Sequence, residues 1–311
     1  MNKKILIIGI GYIGSRLYQV LSKKHQVSSV DLEWQGNPAK IPNNKRDYRE
    51  ITASGIKPYD VIILTASHSS VASCVGNELA SNKNNVDNFI DLFKKINDDQ
   101  IFIYMSSSSV YGMINVREAV EINNCFTPSN AYDLQKFTID NYTKIFDKPN
   151  VYGLRLATVA GYSPNLRIDT MINSMVYAAK TKGQIDLYNP EIMRPIVGTR
   201  DLAASILQII KLNKSIGGIF NISSFNNTSN EIAHQVGKFM GVPVIKFDKP
   251  PDVVDNSKLM TRAYDFSISN LKFRTYFQFE FKDTVKSICQ ELLDNWNGMV
   301  FGKRTIQINY E

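Results

Sequence analysis

Near the start of the chain an apolar run is interrupted by three glycines: residues 5–14 read ILIIGIGYIG. Behind Lys3 and Lys4 such a run can open a secretory leader, with its basic start and apolar core. Here Gly9, Gly11 and Gly14 break the core, Arg16 follows at once, and no Ala-x-Ala-like cleavage site comes after. The remaining readings are a buried strand that happens to hold glycines and a turn that seats a phosphate. Spacing separates them. Residues 4–8 form a continuous apolar strand, and 12–24 place Ile13, Leu17, Val20 and Leu21 at helical intervals. The glycines therefore read G-x-G-x-x-G at a strand-to-helix junction, the context in which the pattern has a mechanism. Gly9 permits the tight turn, Gly11 lets backbone N–H groups approach a pyrophosphate, and Gly14 lets helix pack on strand. Tyr12 and Ile13 open a helix whose free N–H groups and partial positive charge face the phosphates.

The alternation continues. Strands are predicted at 26–31, 60–66, 101–107 and 151–159, with helices over roughly 83–97 and 129–146. Apolar strands alternating with helices predict an α/β fold, a doubly wound parallel sheet of the Rossmann type with ligands at its carboxyl edge. The C-terminal half is less regular. Helices are expected at 169–183, 229–241 and near 282–296, with strands at 218–224 and around 243–247. We expect a cofactor domain over 1–160, to which 196–222 returns, and a smaller mixed substrate domain from 161–195 and 223–311. At 311 residues, 43% hydrophobic and 21% charged, the chain can bury a sizeable core. No stretch approaches the ~18 apolar residues of a membrane span. Three scattered cysteines and three scattered histidines suggest neither a disulfide framework nor a metal site. That usage suits a reducing cytoplasm. The net charge of +7 comes without a dense basic tract with interleaved aromatics, so it suits phosphate-bearing small molecules rather than nucleic acid.

Two further features give the glycine turn a cofactor and a chemistry. Asp31 closes the second strand, seventeen residues past Gly14. A carboxylate there accepts hydrogen bonds from an adenosine ribose diol and repels a 2′-phosphate, which favours NAD over NADP. Tyr132 and Lys136 stand four apart on a predicted helix and share a face. Ionising a free tyrosine near pH 7 costs about 4 kcal/mol. A cation about 4 Å away returns roughly as much at an effective dielectric near 20. A lysine one turn away, helped by a nicotinamide's charge, is therefore of the right size to make Tyr132 a usable base.

SSSSVYG at 106–112, with Pro128-Ser129-Asn130-Ala131-Tyr132 and Lys136, resembles the extended short-chain dehydrogenase/reductases, most closely the NAD-dependent epimerase/dehydratase family acting on nucleotide sugars. The resemblance makes Ser107 the partner of Tyr132 and Lys136, with Ser108 as fallback. It places Asp47 and Tyr48 beside the adenine, and Thr65, Ala66 and Ser67 along the cofactor. Thr158 would pass the nicotinamide and substrate. Asn173 would contact the nucleotide, Arg194 would clamp its diphosphate, and Arg262 would reach the same group. The family's usual first glycine falls on Ile8, and its common His before the Val-x-Asp segment is Gly198. Ser108 and Ser109 stand where 4,6-dehydratases carry Asp-Glu, where decarboxylases carry Glu at the second position, and where 3,5-epimerases carry Cys at the first. What remains is a 4-epimerase or a simple 4-ketoreductase acting on a nucleotide-diphosphate sugar. A non-catalytic NAD-binding sensor or scaffold, or an enzyme for small carbonyl compounds, are the competing readings. The family's habit of pairing the helices around Asn85 and Tyr132 suggests a homodimer, with Phe89, Ile90, Phe93, Phe137 and Tyr142 available as apolar contacts. His68 and Cys74, in a segment expected to border the sugar, read equally as packed neutral residues.

Overall fold

The computed structural model describes residues 2–34, 36–112, 117–122, 128–212, 215–248 and 264–298, with the backbone of 300–301. Six strands form a parallel sheet: β1 (Lys4–Ile8), β2 (Gln26–Val30), β3 (Val61–Leu64), β4 (Ile101–Ser107), β5 (Val151–Leu156) and β6 (Gly218–Ile222). Their spatial order is β6-β5-β4-β3-β1-β2. The order reverses between β1 and β3, which opens a crevice at the carboxyl ends of those strands.

Each central strand is apolar on both sides because both faces are covered. Alternation sends Ile5, Ile7, Ile63 and Ile103 to one face, against Leu17 of α1 (Tyr12–Leu21) and Ile206 of α5 (Thr199–Leu212). Leu6, Ile8, Ile62 and Phe102 point the other way, against Phe89 of α2 (Asn88–Lys95) and Ile139 of α3 (Ala131–Phe146). The helix expected over 83–97 is broken: a π-helical turn, Lys83–Asp87, precedes α2. Phe89 and Phe93 are 1% and 2% exposed, and Tyr142 and Ile90 pack on the same cluster. Phe137 packs on the opposite face of the sheet. Phe89 and Phe93 are thus spent in the chain's own core, while Ile90, Phe137 and Tyr142 are only partly buried against it.

α3 carries the expected Tyr132 and Lys136, and its ends are well defined. Asn130 caps it by accepting from the Asp133 amide at 3.0 Å, and Asp147 leaves it in left-handed geometry. A fully buried ion pair, Arg155 Nε to Asp140 Oδ2 at 2.7 Å, fastens the helix to β5. Tyr104 adds a hydrogen bond to Asp140 at 3.1 Å. Breaking such a pair strands a buried charge at a cost of about 3–5 kcal/mol, so the helix is held firmly behind the sheet edge.

The run expected as one strand at 151–159 is two. β5 ends at Leu156, the Ala157 amide donates to the Ile222 carbonyl at 3.0 Å, and Thr158–Ala160 leaves for a second sheet. There it pairs in parallel with Met193–Gly198, which pairs antiparallel with Phe225–Thr228. Beside this sheet α4 (Met171–Lys182), α6 (Ser229–Met240) and α8 (Val285–Asp294) bury Ile172, Val176, Ile232, Val236, Ile288 and Leu292 in a third core. Arg16 of α1 pairs with Glu291 of α8, tying that unit to the main sheet. The expected helix near 282–296 is thus shorter. Helix α7 (Leu271–Phe277), not anticipated from sequence, stacks Phe273 and Phe277 at 4.6 Å between ring centroids, beside Phe220 of β6.

Candidate active site

The glycine turn leaves β1 where the sequence placed it. Gly9 adopts φ +99°, a left-handed conformation open to glycine, and its amide donates to the Val30 carbonyl at 2.8 Å. A Cβ at Gly9 would lie 2.5 Å from the Ala66 amide nitrogen. At Gly14 a Cβ would lie 1.8 Å from the Gly9 carbonyl oxygen. Gly11 differs: nothing stands within 4 Å of the position its Cβ would take. Ile8, where the family's first glycine is expected, is simply the last, fully buried residue of β1. The turn is made one residue later.

Beyond the turn lies a cavity of about 760 Å³. Gly9, Gly11, Tyr12, Ile13 and Gly14 form its floor, with Thr65, Ala66 and Ser67 beside them. Thr65 donates its hydroxyl to the Gly9 carbonyl at 2.7 Å, which fixes the turn against β3. On the β2 side Asp31 lines the cavity, its carboxylate accepting from the Ile10 amide at 2.7 Å and from the Glu33 amide. Burial raises its pKa, and those amides oppose the rise. One acceptor direction per oxygen remains open to a ligand. Asp47 and Tyr48 border the same end, but both are already engaged. Asp47 accepts from Arg49 Nε at 2.7 Å, and the Tyr48 hydroxyl donates to the Asn84 carbonyl at 2.7 Å.

At the centre β4 and α3 meet. Ser107, Ser108, Tyr132 and Lys136 all line the cavity. Ser107 is the serine that acts on Tyr132, lowering the phenol's pKa against the effect of burial. Ser107 Oγ also lies 2.8 Å from Ser109 Oγ and accepts from the Ser109 amide at 3.1 Å. Lys136 Nζ donates to the Met105 carbonyl at 2.8 Å and sits 5.7 Å from the centroid of the Tyr132 ring. Burial lowers its pKa to about 8. Burial likewise pushes Tyr132 up to about 12, against the opposing effects of Ser107 and of the Arg167 charge. In these residues alone burial outweighs Ser107 and Arg167 and favours the protonated phenol.

Thr158 and Arg194 form the far wall. Burial disfavours Arg194's charge while Asp265 supports it, and Arg194 takes part in no ion pair among the described residues. Asn173 is not brought to the cavity surface. It is 2% exposed, and its amide is committed to Gly161 N at 2.8 Å, the Arg167 carbonyl at 2.8 Å and the Tyr12 hydroxyl at 3.1 Å. It braces the segment that carries Arg167 instead of reaching a ligand. Arg262 lies outside the described residues. His68 lines the cavity with its pKa lowered by burial, whereas Cys74 is buried behind it. Gly198 has its own reason: a Cβ there would meet the Asp283 carboxylate at 2.0 Å. Sequence reasoning missed Trp34, Arg46, Arg167 and Tyr264, which also line the cavity. They come from irregular segments, where no periodicity marks a side chain as inward.

The architecture recurs in solved structures. The UDP-N-acetylglucosamine 4-epimerase of Methanobrevibacter ruminantium is 20% identical with a TM-score of 0.77, over 94% of this chain and 99% of that one. The ADP-L-glycero-D-manno-heptose-6-epimerase of Helicobacter pylori is 19% identical with a TM-score of 0.79, over 96% and 97%. The dTDP-glucose 4,6-dehydratase of Bacillus anthracis, solved with NAD, is 20% identical with a TM-score of 0.75, over 95% and 98%. A family model, the NAD dependent epimerase/dehydratase family, matches residues 5–223. The chain belongs to that family and is an NAD-dependent enzyme. Its residues fit the cofactor: the open space over Gly11, the helix start behind it and the half-free Asp31 carboxylate suit pyrophosphate and ribose.

Proposed function

We propose that this enzyme is a nucleotide-sugar epimerase working at C4. The observation that carries the reading is the junction of β4 and α3: Ser107, Tyr132 and Lys136 lining one cavity with the glycine turn and Arg194. Bound NAD would supply a hydride acceptor and donor. Asp31 would hold the adenosine ribose, Asp47 and Tyr48 would border the adenine, and Thr65, Ala66 and Ser67 would run beside the cofactor. Ser107 would donate to the sugar oxygen while Tyr132 exchanges the proton of the same oxygen. Lys136, fixed on the Met105 carbonyl, would hold its charge beneath the Tyr132 ring. Thr158 would border the sugar, and Arg194 would clamp the diphosphate. The second sheet with α4, α6 and α8 would form the substrate half. Ser108 and Ser109 supply no carboxylate or thiol, which argues against dehydration and 3,5-epimerisation.

A second reading, a 4-ketoreductase, draws on Tyr132 itself: burial favours its protonated form, which holds the proton a ketone must receive. No helix among the described residues is long and apolar enough to cross a membrane, and we place the enzyme in the cytoplasm. Leu134, Ile145 and Phe146 are 51%, 76% and 55% exposed on α3 and offer a face for a homodimer.

The test is incubation of the NAD-loaded protein with UDP-, dTDP- and GDP-sugars, following C4 inversion by NMR and NADH by absorbance. Neither inversion nor NADH consumption would overturn both readings. Arg194→Ala should raise KM about 10–100-fold with kcat nearly unchanged. That follows from losing one ~1.5–3 kcal/mol charge-assisted hydrogen bond made equally in ground and transition states.

A further inference from the structure

His68 takes no part in the proton and hydride chemistry above, yet it lines the cavity just past Thr65, Ala66 and Ser67. A neutral imidazole carries its proton on one ring nitrogen, and its neighbours decide which. Here the neighbours are two asparagines. The π-helical turn Lys83–Asp87 buries successive residues, Asn84 and Asn85 among them. Their orientation follows from one backbone donor. The His68 amide N–H can only donate, so the atom of Asn85 that lies 2.8 Å from it is the oxygen, Oδ1. Asn85 Nδ2 accordingly donates to Gln135 Oε1 at 2.7 Å, and Gln135 Nε2 to Ser81 Oγ at 2.7 Å. The end of Asn84 lies 3.2 Å from the same Asn85 oxygen. Two oxygens would repel there, so that atom is the amide nitrogen, Nδ2. It stands 3.3 Å from His68 Nδ1. An amide nitrogen donates and does not accept, so Nδ1 is the bare, accepting nitrogen and the ring proton sits on Nε2. Burial lowers the pKa of His68 and keeps the ring neutral. Nε2 makes no hydrogen bond to any described residue.

We propose that His68 is a ligand-binding residue, a neutral donor of fixed tautomer whose Nε2–H is given to a hydroxyl oxygen of a sugar ring in the cavity. The chain here runs between two anchors. Thr65 is bonded to the Gly9 carbonyl in the glycine turn at 2.7 Å, and Cys74 Sγ lies 3.6 Å from Gln135 Oε1, next to Lys136 on α3. His68 stands between them, on the way from the cofactor floor to Tyr132. Two sugar rings can offer the oxygen: the ribose on the nicotinamide side of the cofactor and the hexose of the substrate. A hydroxyl suits a fixed donor because it accepts while still giving its own proton elsewhere. An imidazole free to exchange tautomers would meet a donor or an acceptor alike, and Asn84 removes that choice. The hexose alternative rests on the nucleotide-sugar reading, and the ribose alternative does not.

The chain holds three histidines, so ¹⁵N-labelled histidine gives three rings, with His68 assigned by its loss in His68→Gln. In NAD-loaded protein at neutral pH, two-bond ¹⁵N–¹H correlation should show His68 protonated on Nε2 and bare on Nδ1. Asn84→Leu, close in shape but without the donor, should let both tautomers appear. A proton on Nδ1 in the parent, alone or with one on Nε2, overturns the inference whether or not Asn84→Leu folds. The target of the donor is read from the Nε2–H signal in protein freed of NAD, reloaded with NAD, and then given UDP-, dTDP- or GDP-glucose. A move on adding NAD assigns the ribose, and a move only with a nucleotide sugar assigns the hexose. No move with either overturns the inference. His68→Phe should raise the Kd of the assigned ligand about 2–10-fold, the worth of one neutral hydrogen bond, and His68→Gln, which keeps an N–H at similar reach, should recover most of that loss. An unchanged Kd in His68→Phe also overturns it. A signal that moves with NAD, in a protein that turns over no nucleotide sugar, would sink the functional reading and leave this one standing.

Discussion

Tyr132→Phe should cut turnover by about 10²–10⁴-fold, the usual range for a positioned acid–base group, while NAD affinity stays within about threefold. The substitution keeps the ring that Lys136 faces at 5.7 Å and leaves the Lys136 bond to Met105 untouched. What it removes is the hydroxyl in the cavity that Ser107 also lines. The loss therefore belongs to proton transfer and not to the shape of the site. Steady-state kcat on a nucleotide sugar, with NAD titrated by fluorescence, checks both halves. Full activity in this variant would refute the mechanism even if the enzyme class stood.

The glycine turn carries the second large effect, and its three glycines should fail differently. Gly14→Val puts a methine carbon 1.8 Å from a backbone oxygen that cannot move without undoing the turn. Overpacking ordinarily costs ~1–3 kcal/mol, and a rigid backbone clash lies at or above the top of that range. We expect a Tm several degrees lower and no NAD retained on purification. Gly11→Ala meets no protein atom within 4 Å. It should melt like the parent and yet bind NAD at least tenfold more weakly, because its methyl enters the space left for the pyrophosphate. Unaltered NAD binding by Gly11→Ala would remove the phosphate from that position.

Much of this site can be read along the chain because its parts follow regular elements. Gly9 to Gly14, Asp31, Thr65 to Ser67 and Ser107 each end a strand, and strands announce themselves by apolar runs. Tyr132 and Lys136 share a helical face for the same reason. What stayed hidden depends on packing in three dimensions. Asn173 has the same residue type whether it meets a nucleotide or braces Gly161. Phe89 and Phe93 fit a helix face without saying which side the sheet covers. The break at Ala157 is invisible in the strand-like run at 151–159, since it arises where β5 passes beside β6 and the chain leaves for another sheet. Spacing places a lysine one turn from Tyr132, but it does not reveal the burial that raises the phenol's pKa and lowers the lysine's.

The most direct measurement uses a nucleotide sugar deuterated at C4. Incubated with the NAD-loaded enzyme and followed by NMR and mass spectrometry, it should yield the C4-inverted sugar with deuterium still at C4, because the hydride taken from that carbon is returned to it. A substrate that is left unchanged, or an inverted product that has lost its deuterium to solvent, would contradict the account.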